Sequence, residues 1–388
     1  MTNDLPWGTL TGIRPSKIAA KMLKSGMSYD DTVKHFISEY KTTPEKARLA
    51  VSVAKTELPV IENMYDDGVS IYIGIPFCPS RCLYCSFVTC GTRQAAKLMP
   101  EYCECLMREI SYVNEIVKHN GDRIETVYIG GGTPTTLSDE LLEKLLFHIR
   151  SEFDLSHNKE FTVEAGRPDT VTYEKLNILK KYGVSRISIN PQSMHQKTLD
   201  IIGRAHTPQQ VKDAFYMARE CGFDNINTDI IAGLPGEDLD MFKNTLYEVE
   251  EMSPEDTTVH VMSIKRSSGL HEYLQNYTLA DGGEVSAMMD FAYGYLTEKG
   301  KKPYYMYRQK NQLGNLENVG YSKAGFESLY NIYIMEETQT IISLGCGGVT
   351  KTVDRSLDKI ERIFNVKEPK DYIERIDEML GRKKVLLK

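Results

Sequence analysis

Between Ile71 and Ile264, short β-rich runs and amphipathic helical stretches alternate through six β/α units, an order that few folds can accommodate. The spacing predicts strands at Ile71–Pro76, Thr126–Ile129, Glu160–Glu164, Arg186–Asn190, Asn225–Ile231 and Thr257–Ile264. Helical patterns lie between them, as at Tyr102–His119, where Leu106, Ile110, Val113 and Val117 fall on one face. Others are Asp139–Phe153, Thr172–Tyr182, Pro208–Cys221 and Asp240–Met252. A helical crossover between successive strands implies a parallel sheet. Doubly wound and barrel-like arrangements both satisfy this α/β order.

The flanks read differently. Residues 1–65 are expected to form a helical module. One helix covers Pro15–Lys24 and ends near Gly26, a second covers Tyr29–Tyr40, and a third starts with Thr43 as N-cap, Pro44 and Glu45. Asp66-Asp67-Gly68 then marks a turn. After about Ser267 the alternation decays into a helical stretch at Met288–Gly300 and a Tyr-, Arg-, Lys- and Asn-rich run at Pro303–Asn315. A short apolar run, Thr340–Leu344, enters Gly345-Cys346-Gly347-Gly348, and a last helix is expected near Tyr372–Leu380. The chain therefore divides into a module at 1–65, a core at 66–266 and an accessory, substrate-side domain at 267–388.

Composition narrows the class. The 388 residues are 41% hydrophobic, enough for a packed core. No run of 18 apolar residues offers a membrane span, and MTNDLPWGTL lacks the features of a signal peptide. A cytoplasmic, monomeric protein is expected. The net charge of −7 argues against a general nucleic-acid binder. In a reducing compartment, clustered cysteines point to metal or catalysis before disulfides. Of eight cysteines, Cys78, Cys82, Cys85 and Cys90 crowd thirteen residues, while Cys103, Cys105, Cys221 and Cys346 lie apart.

Cys78, Cys82 and Cys85 have CxxxCxxC spacing directly after the first predicted strand. Three thiolates in one tight loop suit a [4Fe–4S] cluster with one iron left open for a ligand. Structural zinc takes four protein ligands, and no second CxxC or HxxxH occurs to complete it. A closed site completed by Cys90, or plain buried thiols, are the plainer alternatives. Polar or glycine-rich residues recur at the following strand ends: Gly130-Gly131-Gly132-Thr133, Glu164-Ala165-Gly166-Arg167, Asn190-Pro191-Gln192, then Arg204, and Asp229 ahead of Ala232-Gly233. Such equipment belongs at the C-terminal mouth of a parallel barrel, although each residue alone could be a turn or a cap. His260, inside a predicted strand, reads as a wall residue before a ligand.

CxxxCxYC after a strand resembles the signature of radical S-adenosylmethionine (SAM) enzymes, which implies a partial (β/α)6 barrel, a [4Fe–4S] cluster and SAM. YIGIPFCPSRCLYCSF, GGGTPT, TVEAGRP, INPQS, GRAHT and DIIAGLPGE together resemble the oxygen-independent coproporphyrinogen III oxidase family over about residues 70–350. GTLTGIRPSK and PYYMYRQKNQLGNLENVGY further resemble its HemZ-type coproporphyrinogen dehydrogenase branch, whose longer N-terminal region implies a segment ahead of residue 1. By position the resemblance assigns Cys78, Cys82 and Cys85 to the cluster. It assigns Tyr72, Tyr84, Gly131, Thr133, Glu164, Gln192, Arg204 and Asp229 to SAM.

The implied activity is oxidative decarboxylation of two coproporphyrinogen III propionates to vinyl groups in haem biosynthesis, with a reduced ferredoxin or flavodoxin as electron donor. Four substrate carboxylates call for cations, and Lys265, Arg266, Arg308 and Lys310 are the candidates, with a solvated charge run as the alternative. Three departures stand against direct transfer. Phe87 occupies the fourth-cysteine position of the oxidases, the helical module replaces their Arg- and Tyr-rich N-terminal segment, and Gly314-Asn315…Gly320-Tyr321 stands where related haem chaperones carry His-Asn…Tyr-Trp. Another radical reaction on a tetrapyrrole (haem degradation or methyl transfer) and a haem-binding chaperone are the alternatives.

Overall fold

The run GVSIYIGI at Gly68–Ile75 forms β1, and its almost unbroken apolar character suits a strand covered on both faces. The computed structural model describes residues 6–10, 12, 14–85, 92–263, 280–309, 312–355, 357 and 359–388. The strands that follow β1 are Arg123–Gly131 (β2), Glu160–Glu164 (β3), Arg186–Ser188 (β4), Ile226–Ala232 (β5) and Asp256–Val261 (β6). All five neighbouring pairs from β1 to β6 are parallel. The six expected strands are therefore present, and the partial (β/α)6 arrangement holds.

Three helices form the N-terminal module: Pro15–Lys24 (α1), Tyr29–Tyr40 (α2) and Pro44–Glu62 (α3). Ser28 and Thr43 cap α2 and α3 by accepting from the backbone N–H three residues on. The crossover helices are Thr92–Asn120 (α4), Asp139–Glu152 (α5), Tyr173–Lys181 (α6), Gln196–Ile202 (α7), Pro208–Glu220 (α8) and Leu239–Glu251 (α9). Ser138, Thr172, Thr207 and Asp238 cap α5, α6, α8 and α9 in the same way. The short α7 is an addition to the expected pattern. It ends at Gly203, whose φ of 75° suits a residue without Cβ.

The C-terminal third shares the sheet of the core instead of building its own. It supplies Gly282–Glu298 (α10), Lys302–Arg308 (β7), Glu317–Ser322 (β8), Leu329–Glu336 (α11), Thr340–Leu344 (β9), Val349–Asp354 (β10), Lys359–Phe364 (β11), Pro369–Glu374 (α12) and Ile376–Lys383 (α13). The order is β11-β10-β9-β1-β2-β3-β4-β5-β6-β8-β7, among the described residues one sheet of 11 strands whose hydrogen bonding does not close into a barrel. β9 lies parallel to β1, whereas β8 is antiparallel to β6. The decay of alternation after residue 267 thus marks a change from parallel crossovers to antiparallel neighbours. Among the described residues no helix is long and apolar enough to cross a membrane.

Candidate active site

The loop that leaves β1 is sewn to the glycine turn after β2. Gly132 N donates to Ile75 O at 2.7 Å and Thr133 N to Phe77 O at 2.8 Å. A Cβ on Gly132 would stand 2.5 Å from Phe77 O, so the two backbones can come this close only over glycine. Thr133 Oγ1 lies 3.3 Å from Cys78 Sγ, and burial pushes that thiol up to about 11.

Cations hold the far side of the loop. Arg167, just beyond β3, places Nη1 3.0 Å from Ser80 Oγ and 3.8 Å from Cys82 Sγ. Arg204, after α7, donates from Nε and Nη2 to Tyr84 OH at 3.3 and 3.1 Å and from Nη1 to Gly166 O at 3.0 Å. Leu83 N donates to Ile202 O at 3.0 Å. Two guanidiniums beside a three-thiol loop offset the negative charge that thiolate ligands bring.

The carboxylates sit deeper. Glu164, the last residue of β3, accepts from Tyr128 OH at 2.6 Å. Burial raises its carboxyl to about 7, opposed by the Tyr128 hydrogen bond and reinforced by the nearby Asp229 carboxylate. Asp229 accepts from Asn227 Nδ2 at 2.8 Å, and His260 Nε2 lies 3.6 Å from its other oxygen. Burial pushes Asp229 up, but His260 and Asn227 outweigh it and hold the carboxyl below the usual range. Gln192 adopts a φ of 65°, rare for a residue with Cβ, and among the described residues its buried Oε1 has no partner. An orphaned acceptor and a strained backbone at one cavity wall suit a polar ligand.

These groups converge. Cys78, Cys82 and Cys85 line one cavity of about 480 Å³. So do all eight residues assigned to SAM: Tyr72, Tyr84, Gly131 and Thr133, with Glu164, Gln192, Arg204 and Asp229. Among the described residues the three thiols are in no disulfide. Among the described residues no three His, Cys, Asp or Glu side chains gather around a point that one metal ion could occupy. A multi-iron cluster instead presents separate iron corners to separate thiolates, so this donor set fits it.

The substrate cations fare differently. Arg308 faces away from the cavity: its guanidinium donates to Leu10 O at 2.8 Å and Gly12 O at 3.2 Å and lies over the Trp7 ring. Its neighbours Tyr307 and Gln309 line the cavity, because adjacent strand residues point to opposite faces. Lys265, Arg266 and Lys310 lie outside the described residues, as do Phe87 and Cys90.

The sequence points to Tyr72 but not to the aromatic wall it belongs to. The Tyr128 and Tyr330 rings stack at 4.4 Å, and Tyr72 stacks on both at 6.1 Å. Tyr305 and Tyr307 stack at 6.4 Å on β7. Sequence reasoning also missed Arg186 at the start of β4, buried and paired with Asp256 at 2.6 Å. The available signal was the alternation of polar residues along strands whose intervening positions are apolar.

Residues 72–248 match the radical SAM superfamily. The oxygen-independent coproporphyrinogen-III oxidase-like protein HemZ of Bacillus subtilis is 45% identical over 380 residues, 97% of this chain and 76% of the relative. The heme chaperone HemW of the same organism is 32% identical over 293 residues, 74% of this chain and 73% of the relative. Among solved structures, the Escherichia coli coproporphyrinogen III oxidase HemN, described as a radical SAM enzyme, matches with a TM-score of 0.64 at 20% identity. That likeness covers 83% of this chain and 72% of the other, and it establishes the fold. The chain belongs to the radical SAM superfamily, whose cofactors are a [4Fe–4S] cluster and SAM, and within it to the family of the coproporphyrinogen-III oxidase-like protein HemZ.

Proposed function

We propose that the protein is a cytoplasmic radical SAM oxidoreductase that converts two propionate side chains of coproporphyrinogen III to vinyl groups. The observation that carries this reading is the convergence of the three cysteines and eight strand-end residues on one cavity that continues onto an aromatic and amide wall. Cys78, Cys82 and Cys85 would hold the cluster, leaving one iron for SAM. Together the bound cofactors supply a 5′-deoxyadenosyl radical able to take a hydrogen atom from an unactivated carbon.

The chain's own residues do the positioning. Gly131 and Thr133 bring backbone close to the ligand, Glu164 offers a carboxylate to an amine, and Asp229 offers one to ribose hydroxyls. Gln192 contributes its unpartnered carbonyl, and Tyr84, pinned by Arg204, fixes the cluster loop beside it. Tyr72, Tyr128 and Tyr330 provide a flat face against which a large ring system can lie. For each propionate, one β-carbon hydrogen atom and one CO2 leave, and one electron passes to a one-electron acceptor. A reduced ferredoxin or flavodoxin would supply the electron that starts each cycle.

Anaerobic reconstitution with dithionite, SAM and coproporphyrinogen III tests this. Formation of 5′-deoxyadenosine with a tetrapyrrole mass loss of two HCOOH units is the expected result. If 5′-deoxyadenosine forms while the tetrapyrrole is unchanged, the oxidase reading fails. The 32% identity to HemW favours a second reading, a haem chaperone, for which stoichiometric haem binding without turnover would be the sign.

A further inference from the structure

The cavity has two unlike halves. One carries the thiols and the strand ends of β1 to β5. The other is built from β6, β7, β8 and α11, where Thr258, Tyr305, Tyr307, Asn318 and Asn331 face inward. A substrate rich in carboxylates needs strong hydrogen-bond donors in this second half.

The arginines of the lining are already engaged by the protein. Arg167 grips Asp169 with two contacts of 2.9 and 3.0 Å, Arg204 holds Tyr84 and Gly166, and Arg186 is paired with Asp256. His260 is placed otherwise. It stands on β6 with 27% of its side chain exposed, and its Nε2 is turned to Asp229 in a long contact of 3.6 Å. Asp229 takes its own short hydrogen bond from Asn227. A protonated imidazole carries an N–H on each ring nitrogen, so with Nε2 turned to Asp229 a protonated His260 keeps Nδ1–H for a ligand.

The wall beside His260 is fixed. A methyl at Gly320 on β8 would overlap the Tyr305 ring, so glycine there lets Tyr305 lie flat. Tyr305 and Tyr307 then stack with only 10° between their planes. A histidine at the edge of such a rigid apolar surface can select for a carboxylate at one point on a flat or ring-shaped substrate.

We propose that His260 is a specificity-determining residue that donates a hydrogen bond to one substrate carboxylate, with Asp229 orienting its ring. This rests on the tetrapyrrole reading above and names the group that recognises the acid. No bond is made or broken at the imidazole.

The test titrates anaerobic holoenzyme, with SAM and without reductant, using coproporphyrin III and separately its uncharged tetramethyl ester, followed by porphyrin fluorescence. Wild type is expected to bind the acid more tightly than the ester. His260→Leu, which has no donor, should weaken acid binding by about tenfold, the size of a lost charge-assisted hydrogen bond, and leave ester binding unchanged. His260→Arg should restore the acid. Unchanged acid binding in His260→Leu, equal losses for acid and ester, or His260→Arg no tighter than His260→Leu would each overturn the proposal while leaving the tetrapyrrole reading in place. If wild type fails to bind coproporphyrin III, that reading falls, and the assignment of His260 falls with it.

Discussion

Tyr128 reaches from β2 to the last residue of β3 and donates its hydroxyl to Glu164 at 2.6 Å. The bond stabilises the charged form of a carboxyl that burial has lifted to about 7 from an ordinary 4.5. Between these values the folded protein keeps a proton that the unfolded chain has released, so stability falls as pH rises through about 7. Glu164→Gln should remove this slope and make the cofactor-free protein more stable at pH 8, by on the order of 2 kcal/mol. The same substitution should weaken SAM binding. Urea unfolding at pH 5 and 8 checks the first effect and calorimetric SAM titration the second; identical slopes in both proteins would refute the assignment.

Gly132→Ala should damage cluster assembly more than the fold. Its Cβ would meet Phe77 O at 2.5 Å and Ile75 O at 2.9 Å, both backbone atoms, so relief requires the cysteine loop to shift away from Thr133. Iron per chain after anaerobic reconstitution, and the absorbance near roughly 400 nm, should drop toward the level of Cys82→Ala. Cluster content equal to wild type would show that the loop tolerates the displacement.

Arg308→Ala should lower stability. Arg308 caps two carbonyls of the N-terminal segment from β7 and lies over Trp7, whose indole donates to Glu317 at 2.7 Å. Losing charged hydrogen bonds to these carbonyls, of which that of Leu10 is buried, costs on the order of 2 kcal/mol. Denaturant unfolding should show this loss, whereas a weakened affinity for substrate acid with unchanged stability would return Arg308 to the cavity.

The fate of Arg308 illustrates what was legible in the sequence. β1 to β6 announce themselves as short β-rich runs between helical periods, and the site residues at their ends follow from that topology. One residue of register decides which face a side chain takes, and no sequence signal placed Tyr307 and Gln309 inside and Arg308 outside. β8, with the sequence ENVGYS, is buried throughout although half of it is polar. It lies between β6 and β7, and Asn318 turns inward to accept from Val261 N at 2.7 Å. Only the assembled sheet gives such residues their partners. The seven residues of α7 are too few to display a helical period.

Glu57 provides a second test of buried charge, outside the cavity lining. It lies on α3 at 0% exposure, and among the described residues neither carboxyl oxygen has a hydrogen-bond partner. Arg14, the cation whose charge acts on it, is committed to Glu337 at 2.7 Å, while Glu336, itself buried and bonded to Ser16, adds like charge. Burial first, and Glu336 second, push the Glu57 carboxyl well above 4.5. The folded state therefore holds a proton that the unfolded chain gives up, and the stability it contributes at low pH is lost as pH rises through the folded value. Glu57→Gln carries no such proton, so its advantage over wild type should grow between pH 5 and pH 8.5, reaching on the order of 1–3 kcal/mol. Parallel urea titrations at both pH values decide the matter: a constant difference would mean that Glu57 does not change its protonation on unfolding, and a variant less stable than wild type at pH 8.5 would mean that the carboxylate has a favourable partner.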